Sequence, residues 1–156
     1  MRSIIIFLAT GAYTGYCPIA PGTAGSIPGL ILAWLIFAPL WRYSVILFVI
    51  VFAVLFAASC RVAGRAEKIF ERHDDSRIVI DEVLAMIAAM FLLPMTWGYV
   101  AAGFFLFRLF DTVKPFPAGL IDRRMHSGTG VMLDDLIAAI YANLAVRGLV
   151  FVAHQI

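Results

Sequence analysis

The sequence predicts an all-α integral membrane protein, a polytopic helical bundle of about four to five membrane helices with an interfacial N-terminal segment. Of its 156 residues, 63% are hydrophobic and only 14% are charged. A soluble domain is about half apolar and about a quarter charged, so this chain has too little charge to cover its own surface. The surplus apolar surface indicates lipid, and the length fits a single domain over residues 1–156.

Composition also narrows the possible partners. A net charge of +2 gives no argument for nucleic acid. Cys17 and Cys60 lie in different segments and predict neither a zinc cluster nor a disulfide framework. The apolar run after Arg2 resembles a signal peptide, but no clean cleavage site follows it. We therefore expect a retained segment that lies in the membrane interface or forms a short first helix.

Five apolar segments follow and are expected to alternate in direction across a membrane. A full span needs about 20 apolar residues, and prolines or charged residues end several of these segments early. The predicted segments are 26–38, which stops at Pro39, 43–59 with a polar helical extension over 61–72, 83–93, which stops at Pro94, 99–107 and 131–152. The predicted loops are 17–25, 73–77, 94–98 and 115–130.

Tracing this path places all ten carboxylates on the membrane face that holds the 17–25 loop. Most basic residues fall on the same face, which the positive-inside rule makes cytoplasmic. Mixed charges over residues 67–77 are explained best as a solvated helix face. The basic residues on this face are Arg61, Arg65, Lys68, Arg72, Arg77, Arg108, Lys114, Arg123 and Arg124, whereas Arg42 and Arg147 fall towards the opposite face.

Several acids lie inside hydrophobic segments rather than between them. An Asp at the centre of a membrane helix costs about 2.5–3.5 kcal/mol on insertion scales. A bound cation, together with nearby Arg, Lys and His side chains, would offset that cost. The residues predicted to hold such a metal are Asp81, Glu82, Asp111, Asp134 and Asp135.

Asp81 and Glu82 are adjacent at the cytoplasmic end of a predicted helix. Neighbouring helical residues point about 100° apart, so we expect that the two do not chelate one ion as a facing pair. One would bind the metal while the other orients a base or a second ligand. Favourable charge at a helix N-terminus is an equally good explanation of the pair.

Arg108, Asp111 and Lys114 are spaced by three residues and are expected to share one helical face. An Arg and a Lys beside an Asp suit a phosphate next to a metal ligand. The alternative is an ion-pair stripe at the end of a helix. Because the stripe leaves a membrane segment and stops at Pro115, we favour the functional interpretation.

Two glycine-containing segments are expected to lead into helices, where backbone N–H groups can meet a phosphate. The first contains Thr23 and Ser26, which we predict to contact substrate, although a plain Pro/Gly turn explains it as well. The second contains His126, a candidate general acid or base and substrate contact. A lone loop histidine is more often an exposed bystander, so the Asp134–Asp135 pair that follows is the stronger signal.

In this order, the motifs resemble those of the phosphatidylglycerophosphatase A family, over roughly residues 8–150. Ile80 stands where the family commonly has Trp, a departure that removes no charged group. The signature motifs of three other phosphotransfer families, the acid-phosphatase-type lipid enzymes, the haloacid-dehalogenase phosphatases and the CDP-alcohol phosphotransferases, are absent. The matching motifs are Pro18-x-x-Pro21-Gly22-Thr23-x-Gly25-Ser26, Asp81-Glu82, Phe107-Arg108-x-x-Asp111-x-x-Lys114-Pro115-x-Pro117 and Asp122-x-x-x-His126-x-Gly128-x-Gly130-x-Met132-x-Asp134-Asp135.

The resemblance implies a Mg²⁺-dependent enzyme of the bacterial inner membrane that hydrolyses phosphatidylglycerophosphate to phosphatidylglycerol and inorganic phosphate. Arg108 and Lys114 would hold the phosphate oxygens, and His126 or a spare carboxylate would handle the proton. A covalent phosphate on Asp111 is the less favoured variant. The predicted catalytic residues are Asp81, Asp111, Lys114, Arg108 and His126, and the predicted substrate contacts are Thr23, Ser26, Arg108, Lys114 and His126.

The rival hypothesis is a small cation transporter or channel subunit, since carboxylates inside membrane segments also mark ion paths. A transporter should place polar groups near the bilayer midplane and on both membrane faces. The predicted path leaves one face nearly bare of charge, which favours the enzyme.

Overall fold

The structure is a computed structural model that describes residues 2–73, 75–124 and 128–153, with the backbone alone for residues 122–124. Every regular element in these ranges is helical, which confirms the predicted all-α class. The elements are α1 (Arg2–Ala9), a 3₁₀ turn (Thr14–Tyr16), α2 (Pro21–Leu32), a π-helical turn (Ala33–Phe37), α3 (Ala38–Tyr43), α4 (Val45–Phe70), α5 (Ile80–Ala89), α6 (Trp97–Val113), α7 (Ala118–Arg124) and α8 (Gly128–Ala153).

Three helical runs in the described part of the chain are long and apolar enough to cross a membrane. They are Pro21–Tyr43, Val45–Phe70 and Gly128–Ala153, of 23, 26 and 26 residues. α6 has 17 residues and α5 only 10, both below the length of about 20 that a span needs. The predicted four to five membrane helices therefore correspond to three full-length helices and two shorter ones.

Helices occupy part of three predicted loops, 17–25, 94–98 and 115–130, and α6 already begins at Trp97. The predicted 17–25 loop already contains the first turns of α2, which begins at Pro21. Proline suits a first helical position, since its φ is already helical and no N–H donor is needed there. The same run passes Pro39 through the π-helical turn and α3 instead of stopping. The predicted 115–130 loop contains α7 and the start of α8.

α5 lies at the centre of the bundle, between α2 and α8, and eight of its ten residues are buried. α2 approaches closely because glycines face α5. A Cβ added to Gly25 would lie 2.5 Å from Val79 Cβ, and one added to Gly29 would lie 2.5 Å from the carbonyl oxygen of Val83. Small residues let helix backbones pack closely in membranes. The predicted segment 83–93 is thus mainly a short enclosed helix rather than a lipid-facing span.

Side chains of α8 satisfy the carbonyl groups at the C-terminal end of α5. Asn143 Nδ2 donates to the carbonyl oxygens of Ala89 and Phe91, each at 2.9 Å. Arg147 Nη2 donates to the same Phe91 oxygen at 2.9 Å, and Arg147 Nε donates to Asn143 Oδ1 at 2.8 Å. The last carbonyls of a helix lack intrahelical donors, and lipid offers none. The position of Arg147 in the mostly apolar second half of α8 therefore has a structural explanation.

Asn143→Leu keeps a similar shape but removes the hydrogen bonds that Asn143 donates to Ala89 and Phe91, and Arg147 remains as a donor to Phe91. We expect the protein in detergent to lose about 1–3 kcal/mol of stability, because the Ala89 carbonyl loses its side-chain partner. Thermal denaturation monitored by size-exclusion chromatography measures this change. Leu144→Met is the matched control, since Leu144 is 57% exposed, and it should stay within about 0.5 kcal/mol of the parent. Equal stability of the two variants would contradict the capping role.

Candidate active site

Three carboxylates from two helices converge on one point, and we call them the acidic trio: Asp81 and Glu82 from α5, and Asp135 from α8. One oxygen from each lies within 4.8 Å of the others. Asp81 and Asp135 are both buried, at 5% exposure. Converging carboxylate oxygens are the ligands that a hard divalent cation prefers, so the trio could hold such a cation.

The carboxylates of Asp81 and Glu82 lie closer together than their helical spacing led us to expect, and the separate roles predicted for them stay predictions. The backbone N–H of Glu82 donates to Asp81 Oδ1 at 3.0 Å, which directs the Asp81 carboxylate towards its neighbour. The longer Glu82 side chain covers the remaining angle, and both carboxylates reach the same point as Asp135. The helical period separates only the Cα–Cβ directions and does not decide where longer side chains end.

Two carboxylate oxygens of the acidic trio are buried and receive no hydrogen bond from the described residues. Within the described residues, Glu82 Oε2 and Asp135 Oδ2 have no hydrogen-bond partner. The Asp111 carboxylate also interacts with Glu82 and Asp135, which adds negative charge. A buried charged oxygen without a donor is costly, and like charges nearby raise the cost. A divalent cation between these carboxylates would offset both the cost of the missing donors and the repulsion between the negative charges.

Two basic residues pair with the carboxylates beside the trio. Arg108 Nη1 lies 3.0 Å from Asp111 Oδ2, one helical turn away, and Lys114 Nζ donates to Asp134 Oδ2 at 2.6 Å. The predicted common face of Arg108, Asp111 and Lys114 is therefore only partly correct. α6 ends at Val113, and Lys114 has a left-handed backbone with φ of 46°. Its side chain consequently pairs with α8 instead of with Asp111.

The start of α2 meets the same site through a glycine that sequence reasoning did not select. A Cβ added to Gly22 would overlap Glu82 Oε1 and would lie 3.3 Å from Arg108 Nη1. Gly22 lies inside the Pro-Gly-Thr motif and directly precedes Thr23, a predicted substrate contact. That position in the motif could have marked Gly22 as a residue of the site. Thr23 is half-buried. Ser26 is fully buried and donates to the Gly22 carbonyl at 3.0 Å, a hydrogen bond that stabilises the start of α2.

The structure thus brings together parts of all four sequence motifs. Substrate contacts by Thr23 and Ser26, and the individual roles of the carboxylates, stay predictions. His126 and Asp74 lie outside the described residues, as do the side chains of Asp122, Arg123 and Arg124. The residues that meet at or beside the trio are Gly22, Asp81, Glu82, Arg108, Asp111, Lys114, Asp134 and Asp135.

The segment that leads into α5 is held by an ion pair that sequence reasoning took for part of a solvated face. Arg77 donates from Nε and Nη2 to the two Asp75 oxygens, each at 2.7 Å. Its guanidinium also lies 4.0 Å from the centroid of the Phe70 ring. Asp75 is only 3% exposed. A bidentate pair of this kind, with a buried carboxylate and a partly exposed guanidinium, fixes the backbone before Asp81 and Glu82.

The chain is similar to known proteins along most of its length. It matches the family described as phosphatidylglycerophosphatase A over residues 7–150. A relative with that name from Haemophilus influenzae is 36% identical over 143 residues, covering 91% of this chain and 86% of the relative. A second, from Escherichia coli K12, is 34% identical over 150 residues, covering 95% and 83%.

A third relative, from Bacteroides thetaiotaomicron, is provisionally named a phosphatidylinositol-3-phosphatase. It is 31% identical over 151 residues, covering 90% of each chain. No solved structure matches this chain. The family match confirms the resemblance that the four motifs indicated, and the transporter alternative receives no support.

The Asp75–Arg77 pair predicts a defined dependence of stability on pH. Hydrogen bonds from the Arg77 guanidinium lower the pKa of Asp75 below its ordinary value of 3.8. The pair therefore contributes its full stabilisation above about pH 4, and that contribution is lost as the pH falls through the lowered pKa. We expect Asp75→Asn to lose about 1–2 kcal/mol of stability at neutral pH, measured by thermal denaturation in detergent.

The variant and the parent should converge in stability only below the lowered pKa of Asp75, where the parent's carboxylate is neutral in the folded state as well. Glu71→Gln is the matched control, because Glu71 is an exposed carboxylate of the same segment between α4 and α5. It should reproduce the parent's stability at every pH. A constant difference between Asp75→Asn and the parent across the titration would exclude this ion pair as its source.

Proposed function

The chain belongs to the phosphatidylglycerophosphatase A family, and on that premise we propose that it removes the terminal phosphate of phosphatidylglycerophosphate. The family assignment makes it a phosphoric monoester hydrolase. We propose further that the reaction depends on Mg²⁺ and supplies phosphatidylglycerol for phospholipid biosynthesis. The observation that carries the proposal is the convergence of the acidic trio beside Arg108 and Lys114.

The donor set of the trio fits Mg²⁺. Asp81, Glu82 and Asp135 offer only oxygen ligands, and the buried oxygens Glu82 Oε2 and Asp135 Oδ2 have no hydrogen-bond donor within the described chain. Asp111 and Asp134 stand beside them as further ligands or as partners of the basic residues. When bound, Mg²⁺ would polarise the phosphoryl group and make a water molecule a better nucleophile.

Arg108 and Lys114 are the residues that would orient the phosphate. Arg108 Nη1 is buried and has no hydrogen-bond partner in the described chain, although it lies close to Asp111. The contact with Asp111 is thus an ion pair without hydrogen-bond geometry, which leaves an N–H group for a phosphate oxygen. Lys114 adds a positive charge beside Asp134, where it would neutralise charge that develops on the phosphoryl oxygens.

The reaction is a hydrolysis in which one bond forms and one breaks. A water oxygen bonds to phosphorus, and the bond from phosphorus to the terminal glycerol oxygen breaks. A carboxylate that does not hold the metal, or His126, would take the proton from water. That proton, or one from solvent, completes the glycerol hydroxyl, so the products are phosphatidylglycerol and inorganic phosphate.

The proposed location and orientation of the protein follow from the distribution of its charged and apolar residues. We propose a single membrane-embedded phosphatase domain over residues 1–156 in the bacterial inner membrane, with its site towards the cytoplasm. The apolar helical runs would keep the lipid's acyl chains in the bilayer, so only the headgroup enters the polar site. The excess of basic residues expected on the face that holds the site supports the cytoplasmic orientation.

The first test is phosphate release by the purified protein in lipid–detergent micelles. We expect release from phosphatidylglycerophosphate with Mg²⁺ and none after a chelator removes the metal. Phosphatidylinositol 3-phosphate is the second substrate to assay, because one relative is named for it. Faster release from that lipid would replace the proposed substrate, and release that persists after chelation would exclude the metal.

Asp135→Asn tests the trio while keeping the size of the side chain. Loss of one negative ligand should lower kcat/KM by at least about a hundredfold, since even the outer partners of metal ligands cost about 10–100-fold. Glu71→Gln, an exposed carboxylate away from the trio, should leave kcat/KM unchanged. Full activity of Asp135→Asn, with its fold verified by gel filtration, would remove Asp135 from the site.

Gly22→Ala tests the close approach of α2 to the trio. The new methyl group would overlap Glu82 Oε1 and force that carboxylate to move. We expect phosphate release to fall by about tenfold or more and the Mg²⁺ concentration for half-maximal rate to rise. Gly98→Ala is the control, because Gly98 is also the second residue of its helix but faces open space. Equal activity of the two variants would mean that Gly22 plays no part in positioning Glu82.

A further inference from the structure

The loop that carries Lys114 is tied to one face of α8. Lys114 Nζ donates to Asp134 Oδ2 at 2.6 Å, and the Tyr141 hydroxyl donates to the carbonyl oxygen of Phe116 at 2.7 Å. Asp134 and Tyr141 are seven residues apart on α8, so they lie on the same face about two turns from each other. The backbone from Lys114 to Phe116 is therefore held to α8 at both of its ends.

We propose that Tyr141 is a positioning residue, which holds this loop so that the Lys114 ammonium group stays beside the reacting phosphate. The inference rests on the proposed function, in which Lys114 neutralises charge that develops on the phosphoryl oxygens. Tyr141 acts through Lys114 and takes no part of its own in the chemistry. The four sequence motifs end at Asp135, so Tyr141 lies outside all of them.

Tyr141 contacts the chain on both sides of Lys114. Its ring packs against that of Phe110, with the ring centroids 5.8 Å apart. The Phe110 carbonyl oxygen accepts the backbone N–H of Lys114 at 2.8 Å, the bond that ends α6. The hydroxyl of the same tyrosine holds Phe116, two residues after Lys114. One side chain of α8 thus contacts the chain just before and just after the lysine.

Side-chain packing gives this loop little support of its own. Phe116 is 77% exposed and Val113, the last residue of α6, is 63% exposed. The backbone of Lys114 is left-handed, with φ of 46°, a conformation that costs free energy in a residue with a Cβ. Such a conformation persists where neighbouring contacts hold it. The hydrogen bond from Tyr141 is one of these contacts, and its loss should let Lys114 leave Asp134 more often.

Competitive acetylation measures the position of Lys114 without turnover, because the chain contains only two lysines, Lys68 and Lys114. Purified protein in detergent would be treated with acetic anhydride at one pH, and mass spectrometry would give the rate at each lysine. Lys68 is exposed on α4 and serves as the internal reference. Tyr141→Phe removes only the hydroxyl, and we expect it to raise the rate at Lys114 by about threefold or more, as the loss of one hydrogen bond allows. The rate at Lys68 should stay at the parent's value.

Tyr99→Phe is the matched control for this measurement. Tyr99 is a half-buried tyrosine of α6 whose hydroxyl has no hydrogen-bond partner among the described residues. Its variant should reproduce the parent's acetylation rate at both lysines. Acetylation of Lys114 at the parent's rate in Tyr141→Phe, or an equal rise in both tyrosine variants, would overturn the proposal.

Kinetics then test whether the position of Lys114 matters for catalysis. Tyr141→Phe should lower kcat for phosphatidylglycerophosphate by about three- to tenfold and leave KM within about twofold, because Lys114 acts on charge that develops in the transition state. In a Lys114→Met background, the same change at Tyr141 should lower kcat no further. A purely structural role would instead lower the rate equally in both backgrounds, and that result would overturn the proposal.

Failure of the proposed function would look different from failure of this inference. The parent protein would then hydrolyse no phosphatidylglycerophosphate, whereas acetylation of Lys114 would still show whether Tyr141 holds the loop. An active parent whose Tyr141→Phe variant keeps the full kcat would refute the positioning role alone.

Discussion

The burial of negative charge inside an apolar helical bundle is the constraint on which the rest of this structure depends. Asp81, Glu82 and Asp135 meet at one point, and two of their oxygens have no donor in the described chain. Such a cluster is costly in a low-dielectric environment unless a cation shares it. The surrounding structure therefore has to hold the carboxylates in place against their mutual repulsion.

α5 carries two of the three carboxylates, and both of its ends are held by other parts of the chain. The Asp75–Arg77 pair fixes the segment before its first turn, and Asn143 and Arg147 donate hydrogen bonds to carbonyl oxygens at its C-terminal end. A ten-residue helix has little stability of its own, so these contacts and its close packing decide its position. The short helix is thus held in place by its surroundings and supports the site.

The basic side chains and the acidic trio occupy different parts of the site. Arg108 and Lys114 pair with Asp111 and Asp134, whereas the acidic trio meets no basic side chain in the described chain at ion-pair distance. Basic groups beside a phosphate and a cation between carboxylates are the two elements of phosphoryl transfer. The opposite face of α5 is apolar. One helix therefore carries two carboxylates of the trio on one side and apolar side chains on the other.

Composition and pattern alone determined the all-α membrane class and the gathering of the carboxylates, because apolar length and the cost of buried charge are local properties of a sequence. They did not determine where α2 begins, that its helical run passes Pro39, or that α5 is enclosed. Nor did they show that Asp81 and Glu82 reach one point, that Lys114 pairs with Asp134, or that Gly22 adjoins Glu82. Each of these depends on contacts between segments far apart in the chain, and only the packing of the helices decides them.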